Sequence, residues 1–565
     1  MSLESVYFPA WNWRGTMRET KTKSGFKVHA VAGTYVVMFG FDLPREDCNG
    51  LLGFSLHRVD HTEGEAYYLE ANKAFAASNP GLKPGSQYST KDHPIQSFQW
   101  ADYTAKPGHK YTYTITAQKG SPGDLRPHAE VTIDVKTESP EGGTHDVYFN
   151  RGVAGSQAYV RRFGDRAPNE VENNQAFVWL SRGLYEAMEE FVKSAQPGRH
   201  GLRIGAYEFH YPPFLKLLKD TKARGVDIKV VYDGRKEDPK NKNRRAVSAA
   251  HIGSLCDERS EGASYISHNK FIVKLENGEP ISVWTGGTNF SEGGIFGHSN
   301  VAHVVEDGTI AGKYLEYWKV LADDLDMPDS KAAVEALSSV PAGLPKKGTS
   351  VIFSPRKNLD ALDWYAKVAM QANSALFMTF AFGMNDTFKE VYRSSTAPFR
   401  VALMEKKTRP MGKGPERTKE ERAIQDLREM PENLFAIGSL LTTSEFDGWV
   451  KERLTNLNKN VKYVHNKFML VDPLSDDPIV IAGSANFSDA STTKNDENML
   501  VMRGNTRVAD IYVGEFMRLY THHAFRESLT YDSDANPKGL RTDAWWRDYY
   551  GNTPRSVRRK YFAQS

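Results

Sequence analysis

The sequence predicts an α/β region with two pseudo-symmetric halves, each an α+β–α sandwich, preceded by an all-β sandwich. Three observations predict this fold: short β-rich segments without long amphipathic helices at the start, strand–helix–strand units after them, and one motif that occurs twice with the same spacing. The predicted divisions are a β module over 1–145, a first half over 146–335, a second half over 345–530 and an aromatic and basic tail over 531–565.

The first 145 residues have the pattern of short strands joined by Gly and Pro turns. Residues 26–41 contain two β-rich stretches, and Tyr111–Thr116 alternates bulky residues with threonine, as a half-buried strand does. Val131–Val135 is the last predicted strand before a linker at Ser139–Gly143. This pattern resembles a fibronectin-type or immunoglobulin-type module.

After the linker the pattern changes to alternating strands and helices. Residues 202–207 and 226–232 are predicted strands that flank a helix starting at Pro212, which indicates a parallel or mixed sheet. The same order of elements recurs after residue 351, with little identity. The charged stretch 405–432 is predicted to be a solvated surface insertion, with a substrate-facing lid as the alternative.

Composition restricts the functional classes. The 565 residues carry a net charge of only +3, which gives no general support for a nucleic-acid or membrane partner. Cys48 and Cys256 are the two cysteines, too few for a disulfide framework or a multi-cysteine zinc site. The start lacks the pattern of a secretory signal, and no run of about 18 apolar residues occurs, so we expect a cytoplasmic protein without a membrane span, with signal-independent export as the alternative.

The repeated motif is the most specific feature of the sequence. Each copy has a His-Asn-Lys core, and a Gly-rich turn places a second Asn 21 residues after the His. Two copies with equal spacing are far less expected by chance than a single His-x-Lys. The candidate residues are His268, Lys270 and Asn289 in the first copy, and His465, Lys467 and Asn486 in the second.

These residue types suit a site for a phosphate group. Residues i and i+2 of a strand share a face, so the His and the Lys of each copy should point the same way. Two facing halves would then surround one cavity with two imidazoles, two ammonium groups and two amides. Such donors hold a phosphate by charge-assisted hydrogen bonds, and this prediction needs neither a cofactor nor a metal.

The two motifs resemble the HxKxxxxD and GSxN signatures of the phospholipase D superfamily, and the resemblance covers roughly residues 147–530. The second copy is complete, with Asp472 and Ser484 at the signature's Asp and Ser positions. The first copy departs from the signature, because Leu275 replaces the Asp and Gly287 replaces the Ser. The family's Asp is more structural than chemical, so its loss is not expected to abolish activity.

The resemblance implies a covalent mechanism with two different histidines. One His attacks phosphorus to form a phosphohistidine, and the other protonates the leaving oxygen and then activates water or an alcohol. Glu497 lies eleven residues after Asn486, and Asn300 has the same offset after Asn289. We expect Glu497 to raise the pKa of His465, which would make His465 the general acid and His268 the nucleophile.

The substrate stays open between two classes. Both motifs in one chain, predicted to act as a monomer, and a preceding β-sandwich favour phospholipase D-type hydrolysis of a phospholipid head group. The amino-acid sequence of residues 483–488 and 495–498 is more similar to the nuclease branch of the superfamily, so a DNA or RNA endonuclease is the alternative. A non-catalytic phosphate-binding protein is the third class. The C-terminal tail could stack on bases, lie at a lipid surface or pack on the chain's own domain, which is the commonest behaviour of such aromatics.

Overall fold

The computed structural model describes residues 15–78, 86–152, 157–164, 166–262, 265–409, 412–438, 464–531 and 539–565. The chain forms two compact units, Met1–Ser139 with Pro537–Ser565, and Pro140–Asn536. Tyr463 of the second motif lies outside the described residues. Cys48 and Cys256 are both free thiols.

The first unit is built from antiparallel strands, which confirms an all-β region at the start of the chain. Two four-stranded sheets have the orders β1-β2-β3-β8 and β10-β9-β4-β5, and β6 pairs with β7. The likeness to a fibronectin-type or immunoglobulin-type module stays a prediction. The strands are β1 Arg18–Lys23, β2 Phe26–Ala32, β3 Val37–Asp42, β4 Gly53–Asp60, β5 Glu65–Tyr68, β6 Glu70–Ala71, β7 Tyr88–Ser89, β8 Gln99–Asp102, β9 Lys110–Ser121 and β10 Asp124–Lys136.

The C-terminal residues, which the sequence division set apart as a tail, pack within this β unit. Trp545 and Trp546 are buried in its core, and the indole N–H of Trp545 donates to the Leu51 carbonyl at 2.8 Å. Burial of large aromatic surface accounts for this placement. The described tail therefore packs on the chain's own domain rather than forming a separate segment.

The second unit contains two sheets of seven strands each within the described residues. Their orders are β11-β17-β16-β15-β12-β13-β14 and β18-β24-β23-β22-β19-β20-β21. The strands of the first sheet are β11 His145–Phe149, β12 His200–Ala206, β13 Asp227–Asp233, β14 Cys256–Arg259, β15 Lys270–Glu276, β16 Glu279–Gly286 and β17 Val301–Val305. Those of the second are β18 Gly348–Ser354, β19 Ala375–Phe380, β20 Phe399–Met404, β21 Asn433–Ile437, β22 Phe468–Val471, β23 Ile479–Gly483 and β24 Glu497–Arg503.

The two sheets match strand for strand in order and direction. In each, three neighbouring strands are parallel, β12-β13-β14 and β19-β20-β21, while the remaining pairs are antiparallel. The motif strands β15 and β22 lie at the centre of their sheets. The predicted pair of pseudo-symmetric α/β halves is therefore confirmed.

Helices pack on these sheets and lie between them. Tyr317 of α6 stacks on Phe353 of β18 with ring centroids 4.3 Å apart, and Tyr512 of α12 meets Phe149 of β11 at 5.1 Å. The long helix that follows the last paired strand of each half thus contacts the other half's sheet. The helices are α1 Gln157–Phe163, α2 Gln175–Ser181, α3 Leu184–Lys193, α4 Pro212–Ala223, α5 Glu237–Ala250, α6 Gly308–Ala322, α7 Met327–Leu337, α8 Asp360–Met370, α9 Asp386–Ser394, α10 Pro415–Glu429, α11 Asp489–Thr493, α12 Thr506–Tyr531 and α13 Pro554–Ala563.

The charged stretch 405–432 is solvated over most of its helix α10, as predicted, but one face of that helix is buried. Its helix α10 buries Ile424 and Leu427 in the core of the second half, and Glu420 pairs with the buried Lys389. Glu405 is also buried, and it accepts a hydrogen bond from the Val464 amide at 2.9 Å. The sequence did not predict this buried face because its apolar positions are few among many charges.

A buried ion pair joins the two halves. Asp496 of the second half accepts from the guanidinium of Arg235 at 3.0 Å and lies 3.4 Å from that of Arg259, both in the first half. The three side chains are at most 1% exposed. Because a buried charge without its partner is costly, this carboxylate fixes the arrangement of the halves.

We predict that Asp496→Ala lowers the stability of the second unit by about 3–5 kcal/mol, because two guanidinium groups lose a buried carboxylate. The midpoint of thermal unfolding, followed by circular dichroism, measures the change. As a control, Asp220→Ala removes the exposed pair of Asp220 with Lys216 and should change stability by no more than about 1 kcal/mol. Equal effects of the two substitutions would contradict the role given to Asp496.

Candidate active site

Each motif histidine lies in an extended segment just before its central strand and is bound there by the other half. The His268 amide donates to the Asp496 carbonyl at 2.9 Å, and the Asp496 amide donates to the Ile266 carbonyl at 3.0 Å. In the matching position, the His465 amide donates to the Ser299 carbonyl at 3.3 Å. Each half therefore positions the histidine of the other half through backbone hydrogen bonds.

The side chains of the histidines are paired across the halves as well. His268 Nδ1 lies 2.8 Å from Glu497 Oε2, and His465 Nδ1 lies 2.9 Å from Asn300 Oδ1. Our expectation that Glu497 pairs with His465 was wrong. An offset along the chain shows that Glu497 follows the second motif, but it does not show that β24 brings Glu497 to the first half's histidine.

These partners set the tautomer of both imidazoles. The Glu497 carboxylate is an acceptor, so it receives the N–H of His268 Nδ1. The Asn300 amide nitrogen donates to the Gly294 carbonyl at 2.7 Å, which turns the Asn300 oxygen toward His465 as an acceptor. Both histidines thus hold a proton on Nδ1, and Nε2 is the nitrogen left for chemistry.

The motif lysines are buried beside the histidines. Lys467 donates to the His465 carbonyl at 2.6 Å, and Lys270 donates to the His268 carbonyl. Burial lowers the pKa of Lys270 to about 7 and holds the pKa of Lys467 well below its usual range. Burial also lowers the pKa of both histidines. An anion bound among these four groups would reverse the shifts, because it would offset the cost of burying positive charge.

The two asparagines of the Gly-rich turns differ in their surroundings. The Asn289 amide donates to Glu208 Oε2 at 3.0 Å, and Ser291 donates to the same oxygen at 2.6 Å. The Asn486 backbone amide donates to Ser491 Oγ at 3.1 Å. The side-chain oxygen of each asparagine is buried without a hydrogen-bond partner among the described residues.

Glu208 was missed by the sequence reasoning. It lies two residues beyond the carboxyl end of β12, and its position after a parallel strand was the signal that could have identified it. The matching position in the second half is occupied by Phe382, as the pairing of β12 with β15 and of β19 with β22 indicates. One side of the site therefore has a carboxylate where the other has an apolar ring.

Asp472 and Ser484 support the backbone. The Asp472 carboxylate accepts from the amides of Asn373, Ser374 and Ala375 at 2.7–3.1 Å. Ser484 Oγ accepts from the Asn498 amide at 3.0 Å. In the first half Leu275 is 5% exposed, and its backbone pairs with Gly201 of β12 in the sheet.

A network of polar side chains between the halves lies next to the motifs. Asn498 accepts from Thr285 at 2.8 Å and from Tyr314 at 2.9 Å, and it donates to Asn269 at 2.8 Å. Asn269 in turn donates to the Tyr317 hydroxyl at 3.1 Å. The Asn between His268 and Lys270 therefore points away from them, as its place in the motif predicts.

Comparison with known proteins gives one family match. A family model described as the cardiolipin synthase, PLD-like domain matches residues 188–321 and 373–520. The first segment includes His268, Lys270 and Asn289, and the second includes the corresponding three residues of the other half. No curated protein sequence matches the chain.

Several solved structures are similar to this chain. Polyphosphate kinase from Porphyromonas gingivalis is 11% identical over 56% of this chain, which spans 46% of that protein, with a TM-score of 0.37. Phosphatidylserine synthase from Haemophilus influenzae is 10% identical, with 61% of this chain and 85% of that chain covered and a TM-score of 0.44. The phospholipase D family member Nuc from Salmonella typhimurium is 29% identical, with 25% and 87% covered and a TM-score of 0.21.

We predict opposite pKa changes from two substitutions at the histidine partners. The Glu497 carboxylate raises the pKa of His268 against the effect of burial, so Glu497→Gln should lower that pKa further. Asn300→Asp adds a carboxylate at His465 Nδ1 and should raise the pKa of His465. NMR titration of histidine-labelled protein measures both. A pKa of His465 that responds to Glu497→Gln more than that of His268 does would contradict the crossed pairing.

Proposed function

Because the chain belongs to the phospholipase D superfamily, we propose that it is a metal-independent phosphodiesterase that cleaves the head group from a phospholipid through a covalent phosphohistidine. This proposal rests on the crossed pairing, in which His268 is bound by Glu497 and His465 by Asn300, each from the other half. It gives two imidazoles of one tautomer with a charged partner for one and a neutral partner for the other. Both come from one chain, so one copy supplies both sets of motif residues.

His268 is the nucleophile in this mechanism. Its Nε2 lone pair attacks phosphorus while the bond from phosphorus to the head-group oxygen breaks. The imidazole becomes positively charged when Nε2 bonds to phosphorus, and the carboxylate of Glu497 at Nδ1 stabilises that charge. The sequence predicted the same role for His268, but from a pairing of Glu497 with His465 that the structure does not have.

His465 is the general acid and then the general base. Its protonated Nε2 gives a proton to the leaving oxygen, and it later takes a proton from the water that breaks the phosphorus–nitrogen bond. The neutral Asn300 does not stabilise the imidazolium as a carboxylate would, so the charged ring gives up its proton readily. Burial, and after it the charges of neighbouring groups led by Lys467, lowers the pKa of His465, and the negative charge of a bound phosphodiester counters this effect.

Positive charge for the phosphate comes from the chain itself. Lys270 and Lys467 are buried next to the two histidines, where an ammonium group acts on phosphate oxygens with little screening by water. Asn289 and Asn486 would contribute amide donors, and Glu208 uses only one of the two N–H groups of the Asn289 amide. Such groups can neutralise the extra charge of a pentacoordinate phosphorus.

Glu208 supports a lipid over a nucleic acid. A polynucleotide brings further phosphates on both sides of the scissile bond, and these need a row of basic side chains rather than a carboxylate. A phospholipid brings one phosphate, and a choline or ethanolamine head group brings a cation that a carboxylate attracts. The family model, described for cardiolipin synthase, also supports a lipid.

An endonuclease is the second candidate. It is supported by the amino-acid sequence of the second motif, in which Gly483–Ser488 is followed by Asn495–Asn498, a pattern similar to the nuclease branch. The same two histidines would carry out that reaction, so the catalytic histidines themselves favour neither substrate class.

If His268 is the nucleophile and His465 the general acid, the activities of their alanine variants should depend differently on the leaving group of the substrate. We expect His268→Ala to reduce hydrolysis of every phosphodiester by at least about a thousandfold, because no covalent intermediate forms. We expect His465→Ala to reduce lipid hydrolysis as severely but to keep a fast burst of p-nitrophenol from a p-nitrophenyl phosphodiester, whose leaving group needs no acid. A burst in the His268 variant and none in the His465 variant would reverse the roles.

The substrate class is tested with purified protein in EDTA. We expect release of choline from phosphatidylcholine vesicles and no cleavage of plasmid or single-stranded DNA. Glu208→Gln should raise KM for phosphatidylcholine more than for phosphatidylglycerol, because it removes the negative charge that attracts the cationic head group. DNA nicking without choline release would establish the nuclease, and loss of all activity in EDTA would exclude the metal-independent mechanism.

A further inference from the structure

A third histidine lies against the motif pair. The ring of His298 is 4.4 Å from the ring of His465, centroid to centroid, at an angle of 57°. His298 is fully buried, and neither of its ring nitrogens has a hydrogen-bond partner among the described residues. A buried imidazole without partners is unusual, because a native structure satisfies nearly all of its buried polar atoms.

The backbone of His298 is fixed from several sides. Asn150 donates to the carbonyls of Ile295 and His298 at 2.8 and 2.9 Å, and it accepts from the Asn300 amide at 2.8 Å. A π-helical turn at Gly293–Gly297 precedes His298, and such turns are common at functional sites. Gly152 packs so closely that a Cβ there would be 2.8 Å from the His298 carbonyl carbon.

The position of His298 is equivalent to that of Asn495 in the other half. Each residue follows the Asn of its Gly-rich turn by nine residues and precedes the partner of a motif histidine by two. Asn495 uses its amide on the Glu497 carboxylate at 3.4 Å. His298 has no such bond to Asn300, whose side chain is used by His465 and Gly294. Asn495 therefore binds the partner of a motif histidine, whereas His298 at the equivalent position does not.

We propose that His298 is a further residue of the reaction centre, and that its ring N–H donates a hydrogen bond to the substrate phosphate on the leaving-group side, beside His465. The proposal rests on the phosphodiesterase function given above. The imidazole of His298 lies beside the acid His465, whereas the amide of the equivalent Asn495 binds Glu497, the partner of the nucleophile His268.

The charge state of His298 suits this role. Burial, with a smaller effect from Lys467, lowers its pKa to about 3, so the ring is neutral at neutral pH. A neutral imidazole can donate a hydrogen bond without opposing the positive charge that His465 needs as an acid. A lysine or arginine in the same place would oppose that charge.

The expected energetic effect follows from the missing partners. The phosphate would satisfy a donor that is otherwise buried without one, and hydrogen bonds to charged groups are among the stronger ones in proteins. Removal of the ring should therefore weaken phosphate binding and transition-state stabilisation, each by about tenfold or more.

The test uses the full chain with His298→Ala, His298→Asn and, as a control on the β module, His128→Gln. Isothermal titration calorimetry with inorganic phosphate reports binding without any turnover. We expect His298→Ala to raise the Kd about tenfold, His298→Asn to recover much of the loss because it restores a neutral donor, and His128→Gln to have no effect. Thermal unfolding midpoints establish that each variant is folded.

Kinetics with the p-nitrophenyl diester and with phosphatidylcholine separate this proposal from the proposed function. We expect a lower kcat for His298→Ala with the lipid and a smaller change with the p-nitrophenyl diester. The p-nitrophenolate leaving group is already stable, so its departure depends less on groups beside His465. Unchanged Kd and kcat in folded His298→Ala would overturn the role of His298 while the phosphodiesterase stands. A wild-type protein that binds phosphate through His298 but cleaves no diester would overturn the proposed function alone.

Discussion

The crossed contacts at the two histidines are the constraint on which the site depends. His268 is held by the backbone of Asp496 and the side chain of Glu497, and His465 by the backbone of Ser299 and the side chain of Asn300. Neither half can orient its own histidine alone. The two matching sheets, the helices between them and the buried charge of Asp496 all serve to keep these contacts in register.

The same crossing makes two similar halves chemically unequal. The strands match in order and direction, yet a carboxylate reaches one imidazole and an amide the other. Equivalent positions of the two halves differ as well. Glu208 of the first half corresponds to Phe382 of the second, and His298 corresponds to Asn495. An in-line displacement at phosphorus needs an attacking side and a leaving side, and a duplicated fold with different partners offers both from one chain.

Much of this could be predicted from the sequence, because the relevant signals are local. The alternation of strands and helices gave the two α/β halves, and the equal spacing of the two motifs gave the residues that the structure brings together. The pairing of Glu497 with His268 could not be predicted, because an offset along one half does not show which half its strand faces. Glu208 and His298 also escaped notice, since each stands at a position where the two halves carry different residues, Phe382 and Asn495 in the second half, so the repeat did not mark them. The helix at 415–429 was missed because two buried aliphatic residues are a weak signal among many charges.

In the proposed mechanism His268, with its carboxylate partner, is the nucleophile, and His465, with its amide partner, is the general acid. Rapid alkaline quenching without heating, during turnover of a phosphodiester labelled at phosphorus, followed by peptide mapping at alkaline pH, identifies the residue that carries phosphorus. We expect label on His268 and none on His465. Label on His465, or turnover without any phosphohistidine, would contradict it.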